Sequence, residues 1–85
     1  MKIERVVKTL KALRRLHSLL GRGESFLISD VHRVSKLSRA TTYRYLKQLN
    51  ELGHVAILAK PYRGGFANGY ALTQKGYDFL TKENE

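Results

Sequence analysis

Cysteine and tryptophan are absent from this sequence of 85 residues, and proline occurs once. Without cysteine, no disulfide scaffold can form. No apolar run approaches the roughly 20 residues that a membrane-spanning helix needs. The first residues, Met1 to Arg5, also lack the apolar core and the small-residue cleavage site of a signal peptide. We therefore expect a cytoplasmic protein that has no membrane partner.

The residue patterns of enzymes are missing as well. The sequence has no paired carboxylates in an apolar setting, no Gly-x-Ser-x-Gly motif and no glycine-rich phosphate loop before a helix. Its three histidines, His17, His32 and His54, stand 15 and 22 residues apart, which is not the spacing of metal ligands on one element. We expect one domain over residues 1–85, without catalytic activity, metal or cofactor.

Basic residues, in contrast, are abundant. Sixteen lysines and arginines oppose seven acidic residues, so the net charge is +9, and 42% of the residues are hydrophobic. Two segments, 1–22 and 31–66, hold the excess: each has seven basic residues and one acidic residue, a net charge of +6. A domain that can form a core and carries this charge is expected to bind a polyanion, and nucleic acid is the main candidate.

The first basic segment predicts a helix over residues 1–20, which Gly21 and Gly23 end. At about 100° per residue, its apolar positions cover roughly half of the circumference, which is enough to bury two faces. Three interpretations are open: core packing within one domain, a subunit interface, or a basic amphipathic helix on an anionic membrane. The subunit interface would use Ile3, Val7, Leu10 and Leu13.

Two further helices are predicted in the second basic segment. A short one spans residues 29–37, with Ser29 as its N-cap. The next one spans residues 38–52, begins at the N-cap Ser38 and ends before Gly53. One side of this longer helix has its apolar positions at steps of three and four, together with one threonine: Thr42, Leu46, Leu49 and Leu52.

The opposite side of the 38–52 helix has the chemistry of a face that enters the major groove of DNA. It begins with small and hydroxylated residues and continues with cations, and no acid occurs before Glu51. An arginine there can bind guanine or phosphate through two hydrogen bonds. An ordinary solvated helix face is the alternative. The residues of this side are Arg39, Ala40, Tyr43, Arg44 and Lys47.

A β-hairpin is predicted over residues 54–73, with strands at 54–59 and 69–73. The intervening loop, 60–68, carries two cations, two aromatic residues and no acid. Arg63 precedes two glycines, so it is placed to reach a phosphate or the minor groove. We expect the aromatic residues of the loop to brace it rather than to contact nucleic acid; they are Tyr62 and Phe66.

A last helix over residues 74–82, capped by Thr73, completes the order α-α-α-β-β-α. This mainly α fold with a small β-hairpin resembles the winged helix-turn-helix DNA-binding domains, with or without a short strand before the second helix. The segment 38–55 resembles the recognition-helix signature of MarR-, ArsR- and PadR-like prokaryotic transcriptional regulators. The segment 70–76, Tyr-Ala-Leu-Thr-Gln-Lys-Gly, resembles the motif that closes the wing in those families.

The resemblance implies sequence-specific binding to double-stranded DNA by a homodimer, with a repressor-like role. The 38–52 helix would read the major groove, and the 60–68 wing would contact the backbone or the minor groove. Charge alone adds Lys36 and Lys60 as phosphate contacts. The family usually has Ala and Gly where His32 and Lys36 stand. The full set of expected DNA contacts is Lys36, Ser38, Arg39, Thr41, Tyr43, Arg44, Lys47, Lys60 and Arg63.

Two other uses of such a fold remain open. A DNA-architectural protein would use the same charge without reading bases, and 85 residues leave little beyond the minimal domain for an effector pocket. A winged helix that binds protein or RNA would need a neutral or apolar face on its recognition helix. The charge of +6 on residues 31–66 argues against that second use.

Overall fold

Helix α1 (Ile3–Leu20) lies at the centre of the core. The computed structural model describes residues 3–20 and 25–83, except for the side chains of Ile3, Glu4, Arg5, Leu20 and Glu83. The helix end predicted at Gly21 and Gly23 therefore lies outside the described residues. One broad face of α1 is buried by the rest of the chain, and its members are Val6, Val7, Thr9, Leu10, Ala12, Leu13, Leu16 and His17.

Core packing within one chain accounts for the wide apolar arc of α1. Leu10 and Leu13 are 0% exposed and Val7 is 6% exposed in the single chain. These three side chains have almost no surface left for a second subunit, so the interface expected at them is corrected to core. The side chain of Ile3, the fourth member of that set, lies outside the described part of the chain.

Helix α2 (Ile28–Ser35) begins one residue before the predicted start and ends two residues before the predicted end. Ser29 is not its N-cap: Leu27 is, and the carbonyl of Leu27 accepts hydrogen bonds from two backbone amides of the first turn. Lys36 ends the helix because it takes the left-handed conformation, with φ of 62°. The turn to the next helix therefore starts at Lys36.

Helix α3 (Arg39–Glu51) is capped at both ends as the sequence predicts. The Ser38 hydroxyl accepts a hydrogen bond of 3.2 Å from the Thr41 amide. At the other end, Gly53 has φ of +83°, and the amides of Gly53 and His54 donate to the carbonyls of Asn50 and Leu49. This pair of bonds is a Schellman motif, which favours glycine at the left-handed position.

Four side chains of α3 are buried: Thr42, Tyr45, Leu46 and Leu49. Leu52, which was expected among them, is 53% exposed. It is the C-cap residue, which keeps a right-handed backbone with φ of −82° and ψ of −7°, and it lies past the last buried turn of the helix, Tyr45 to Leu49. Tyr45 lies at the buried position instead and is 9% exposed.

The hairpin covers residues 55–72, one residue less at each end than predicted, but its strands are longer and its turn is tighter than predicted. Strands β1 (Val55–Tyr62) and β2 (Gly65–Leu72) pair antiparallel around the two-residue turn Arg63-Gly64. The φ angles of the turn residues are 49° and 78°, as in a type I′ turn, whose twist matches that of the strands. Pro61 pairs with Phe66, next to the pair that closes the turn. In an antiparallel ladder this is a non-hydrogen-bonded pair, so the amide that proline lacks is not needed there. Most of the predicted loop is therefore strand.

The remaining elements join the hairpin to the helices. Phe26, just before α2, forms a single bridge with Tyr70 through backbone bonds of 2.8 and 2.9 Å, where a short strand was considered. Helix α4 (Gln74–Glu83) begins after Thr73, whose hydroxyl accepts from the Gly76 amide and donates to the Gly53 carbonyl. Thr73 thus ties the start of α4 to the end of α3. The order α-α-α-β-β-α is confirmed.

None of the described helices is long and apolar enough to cross a membrane.

Candidate nucleic-acid interface

The outward face of α3 is exposed along its length. Arg39, Arg44 and Lys47 are all exposed, and Tyr43 is 50% exposed. Ser38 caps the helix at this surface, and its hydroxyl also donates to the Thr41 hydroxyl at 2.8 Å. The first turn of α3 contains no acid, so its exposed amides and cations together favour an anion.

Buried polar contacts fix the angle between α2 and α3. The hydroxyls of Ser35 and Thr42, 2% and 0% exposed, lie 3.4 Å apart across the helix pair. His32 Nδ1 lies 2.6 Å from the Leu37 carbonyl oxygen, which anchors the turn between the helices. Because His32 takes part in this bond, its role is to hold the turn that presents the start of α3.

Two residues other than glycine have positive φ in the described chain, and both are exposed cations on the expected DNA surface. Lys36 has φ of 62° at the end of α2, and Arg63 has φ of 49° at the hairpin turn. The left-handed conformation costs an L-residue roughly 1–2 kcal/mol. Lys36 therefore holds the turn after α2 at the expense of backbone strain. Such strain is typical of functional positions.

At the wing tip, Tyr62 supports Arg63. The guanidinium carbon of Arg63 lies 5.2 Å from the centroid of the Tyr62 ring, within cation–π distance. Phe66 does not brace the wing as expected, because it is 78% exposed. The tip therefore presents a guanidinium on an aromatic support and a free phenyl ring.

The hairpin and the start of α3 form one concave surface. A cavity of about 250 Å³ lies between them, and Arg39 and Tyr43 line it from the helix side. Tyr62, Ala67 and Asn68 line it from the hairpin, and residues 27–29 close one end. Elements far apart in sequence thus meet in a single surface that carries one cation, Arg39, and three phenols.

Tyr70 closes the floor of this cavity. The side chain is 2% exposed. Burial raises the pKa of the Tyr70 phenol, and a hydrogen bond with Asn68 opposes part of that increase. The phenol therefore stays protonated and neutral, so the floor adds no negative charge to the cationic surface.

Lys60 forms a hydrogen bond within the protein. Its ammonium donates a hydrogen bond of 2.7 Å to the Ser25 carbonyl oxygen, which ties β1 to the segment before α2. An ammonium has three donors, so two remain for a phosphate.

Among the described residues, none of the cations on the exposed face of α3 or at the wing tip has a carboxylate within 4.0 Å.

Ser29 and Asn68 also line the concave surface, although neither was expected there from the sequence. Ser29 was interpreted as a helix cap, and Asn68 as part of a loop. The register would have identified Asn68: it lies two residues before the buried Tyr70 on β2, hence on the same face of the hairpin.

His54 lies away from this surface, at the entry to β1, with its ring 4.9 Å from that of Phe79. Burial, and secondarily the charge of Lys75, lower the pKa of the His54 imidazole below its ordinary value of 6.5. No group of three or more metal-binding side chains occurs among the described residues.

The lowered pKa of His54 predicts a pH dependence of stability. The unfolded chain takes up a proton near pH 6.5, before the folded chain does, so stability is complete above that pH and falls below it. We expect the free energy of unfolding to decrease between about pH 7 and about pH 5, and His54→Gln to remove part of that decrease. Chemical denaturation at both pH values measures it. An unchanged pH dependence in the variant would contradict the prediction.

No protein-family model matches this sequence, and no curated protein sequence matches it. Among solved structures, smu.1704 from Streptococcus mutans UA159 is similar at a TM-score of 0.71 and 21% identity, over 93% of this chain and 76% of that one. The transcriptional regulator SlyA is similar at a TM-score of 0.63 and 17% identity, over 94% of this chain. This chain spans 52% of the SlyA chain.

The fold is a winged helix-turn-helix. In the terms of that fold, α2 and α3 are the helix-turn-helix, α3 is the recognition helix, and the β1-β2 hairpin is the wing. Identities of 17% and 21% concern the fold alone. The function has to be inferred from the surface that the recognition helix and the wing share.

Proposed function

We propose that this protein is a DNA-binding transcriptional regulator that reads duplex DNA with α3 and contacts the backbone or the minor groove with its wing. One observation carries the proposal: residues of the exposed α3 face and of the wing tip line one concave surface. Arg39 and Tyr43 line it from α3, and Tyr62, which supports Arg63, lines it from the wing. Duplex DNA is the polyanion whose major groove admits a helix.

The affinity and the selectivity have different sources in this proposal. Cations with room to meet phosphates supply most of the affinity, and they are Lys36, Lys47, Lys60 and Arg63. Side chains near the start of α3 supply base readout, because there the helix approaches base edges most closely; they are Ser38, Arg39, Thr41, Tyr43 and Arg44. Base readout is what distinguishes a regulator from an architectural protein.

Selection of bound sequences from random duplexes, at near-physiological salt, tests this proposal directly. We expect an enriched motif, because base contacts discriminate where phosphate contacts do not. An inverted repeat with half-sites about one helical turn apart would indicate two copies on one site. Binding without any enriched motif would favour the DNA-architectural alternative, and failure to bind duplex DNA at all would reject both.

Substitutions on α3 separate the two kinds of contact. Arg39→Ala or Arg44→Ala is expected to cost about 1–3 kcal/mol and to relax preference at one base position. Lys47→Ala should weaken binding to all sequences alike and reduce the slope of log K against log salt by about one. Fluorescence anisotropy with matched and mismatched duplexes measures both. Lys82→Ala, which removes an exposed lysine of α4, is the control. An effect from Lys82→Ala as large as from Lys47→Ala would refute the assigned surface.

The strained cations predict an unusual combination of effects. Lys36→Gly and Arg63→Gly relieve a left-handed backbone conformation, so neither should lower the free energy of unfolding by more than about 0.5 kcal/mol. Each should nevertheless weaken DNA binding and lower the salt slope by about one. Denaturation and salt-dependent anisotropy on the same preparations provide the two measurements. Glycine variants that bind DNA as the original does would remove these residues from the interface.

The remaining expectations are part of the same proposal. A non-enzymatic, cytoplasmic homodimer is the form that such a regulator takes when it binds a palindromic site. The dimer would need a surface other than Val7, Leu10 and Leu13, which lie in the core. Sedimentation at tens of micromolar protein tests it: a monomer at every concentration would leave the regulator reading single half-sites.

A further inference from the structure

A second basic surface lies on α1. Three exposed cations, Lys8, Lys11 and Arg15, line a groove of about 150 Å³ between α1 and the end of α2. Among the described side chains, Ala12, Val34 and Ser35 form the rest of its wall, and none of these is a carboxylate. We call this surface the α1 groove. It belongs to neither the recognition helix nor the wing.

The spacing of these cations is unfavourable for an isolated protein. Lys8 and Lys11 are three residues apart and Lys11 and Arg15 are four apart, so neighbouring like charges repel on one helix face. The stripe runs for about 10 Å at 1.5 Å per residue, which matches several successive phosphates of one strand. A polyanion in the groove would turn this repulsion into attraction.

The α1 groove and the recognition face lie on different sides of the core. Helix α1 contacts α3, and both turn their buried faces inward, with Leu10 and Leu13 on one side and Leu46 and Leu49 on the other. Lys8, Lys11 and Arg15 are exposed on the side of α1 that faces away from this buried face. They therefore do not belong to the surface that α3 presents.

A membrane is a poorer occupant of this surface than nucleic acid. A basic helix binds bilayers by inserting its apolar face below the headgroups. In α1 that face is buried, with Leu10, Leu13 and Thr9 at 0% exposure. Leu19, at 69% exposure, is the one large apolar side chain exposed among the described residues of α1. The groove itself is lined by cations and small residues.

We infer that the α1 groove binds the phosphate backbone of a second DNA duplex, so that one molecule bridges two duplexes. The inference rests on the proposed function, because α3 and the wing hold the first duplex. Binding in the groove reads no bases and depends steeply on salt. It gives the protein an activity that a reader of one site lacks: it joins separate DNA segments.

A bead assay tests the bridging. An immobilised duplex is incubated with the protein and a labelled free duplex, and recovery of the label is measured at near-physiological salt. The wild type is expected to recover the label. Lys11→Gln/Arg15→Gln should recover about tenfold less, while its affinity for one duplex in solution changes by less than about threefold. Lys11→Arg/Arg15→Lys, which keeps the charges, should recover the label as the wild type does.

Two controls identify the source of any effect. Lys75→Gln/Lys82→Gln removes the same charge from exposed positions of α4 and should bridge normally. Arg39→Ala/Arg44→Ala should lose binding to the first duplex and bridging together. If the wild type binds no duplex, the proposed function fails and this inference with it. If it binds one duplex but recovers no second, only the inference fails.

Three further results would overturn the inference while leaving the proposed function intact. The first is normal bridging by Lys11→Gln/Arg15→Gln. The second is a loss of single-duplex affinity by that variant as large as its loss of bridging, which would place the groove on the same duplex as α3. The third is unchanged bridging together with lost sedimentation on phosphatidylserine vesicles, which would assign the groove to a membrane.

Discussion

Replacing Gly76 by alanine is expected to lower the free energy of unfolding by about 3 kcal/mol. Gly76 is buried in the first turn of α4, where an added Cβ would overlap the carbonyl oxygen of His54 and stand 2.9 Å from Leu72 Cδ1. The carbonyl cannot move freely, since it accepts a hydrogen bond of 3.1 Å from the Thr73 amide. The added methyl group therefore has to separate the start of α4 from the His54 backbone at the entry to β1.

Chemical denaturation of the Gly76→Ala variant measures this loss. Gly65→Ala is the matched control, because the same methyl group there meets no atom closer than the Tyr62 carbonyl oxygen at 4.0 Å. The control should change the free energy of unfolding by less than about 0.5 kcal/mol. Equal effects of the two substitutions would show that backbone entropy, and not the close approach of α4, determines the result. In that case the contact between the start of α4 and the His54 backbone would be looser than the structure has it.

Leu13→Ala is expected to cost about 2–5 kcal/mol of folding stability, since Leu13 is 0% exposed and the cavity left by its side chain cannot fully collapse. The loss should be the same at every protein concentration, because the residue is buried by its own chain. A subunit contact would behave differently: the apparent stability would rise with concentration in the original protein and less so in the variant.

The exposed residue Leu19, on the same helix, provides the comparison for Leu13. At 69% exposure, Leu19→Ala should change the free energy of unfolding by less than about 0.5 kcal/mol. Thermal unfolding of both variants over a hundredfold range of protein concentration gives the measurement. A concentration-dependent loss for Leu13→Ala would restore α1 as a subunit interface and would require α1 to pack differently.

The recognition helix could be predicted well from the sequence because its signals are local. The N-cap Ser38, the C-terminal Gly53 and the side that carries Arg39 and Lys47 all follow from neighbours three or four residues away. Leu52 was assigned wrongly for a related reason. A periodic pattern does not show at which residue the helix stops, and Leu52 is the C-cap, beyond the last residue of α3.

The wing shows where local signals are ambiguous. Pro61 and the glycines after Arg63 are typical of loops, yet the strands run on to a two-residue turn. Proline fits because it falls in a pair that needs no amide donor, which only the register decides. The position of Arg63 at the tip was predicted correctly, but its left-handed conformation and its contact with Tyr62 were not.

The charge, the helix caps and the hydrophobic period could be predicted from the sequence, since each depends on residue types or on residues one helical turn apart. The sequence did not show whether the apolar arc of α1 is buried in the core or in a subunit interface, because a wide arc suits both equally well. Tertiary packing assigned that arc to the core and left Lys8, Lys11 and Arg15 outside. Packing also brought Arg39 and Tyr62 to one cavity, although no local pattern relates their segments.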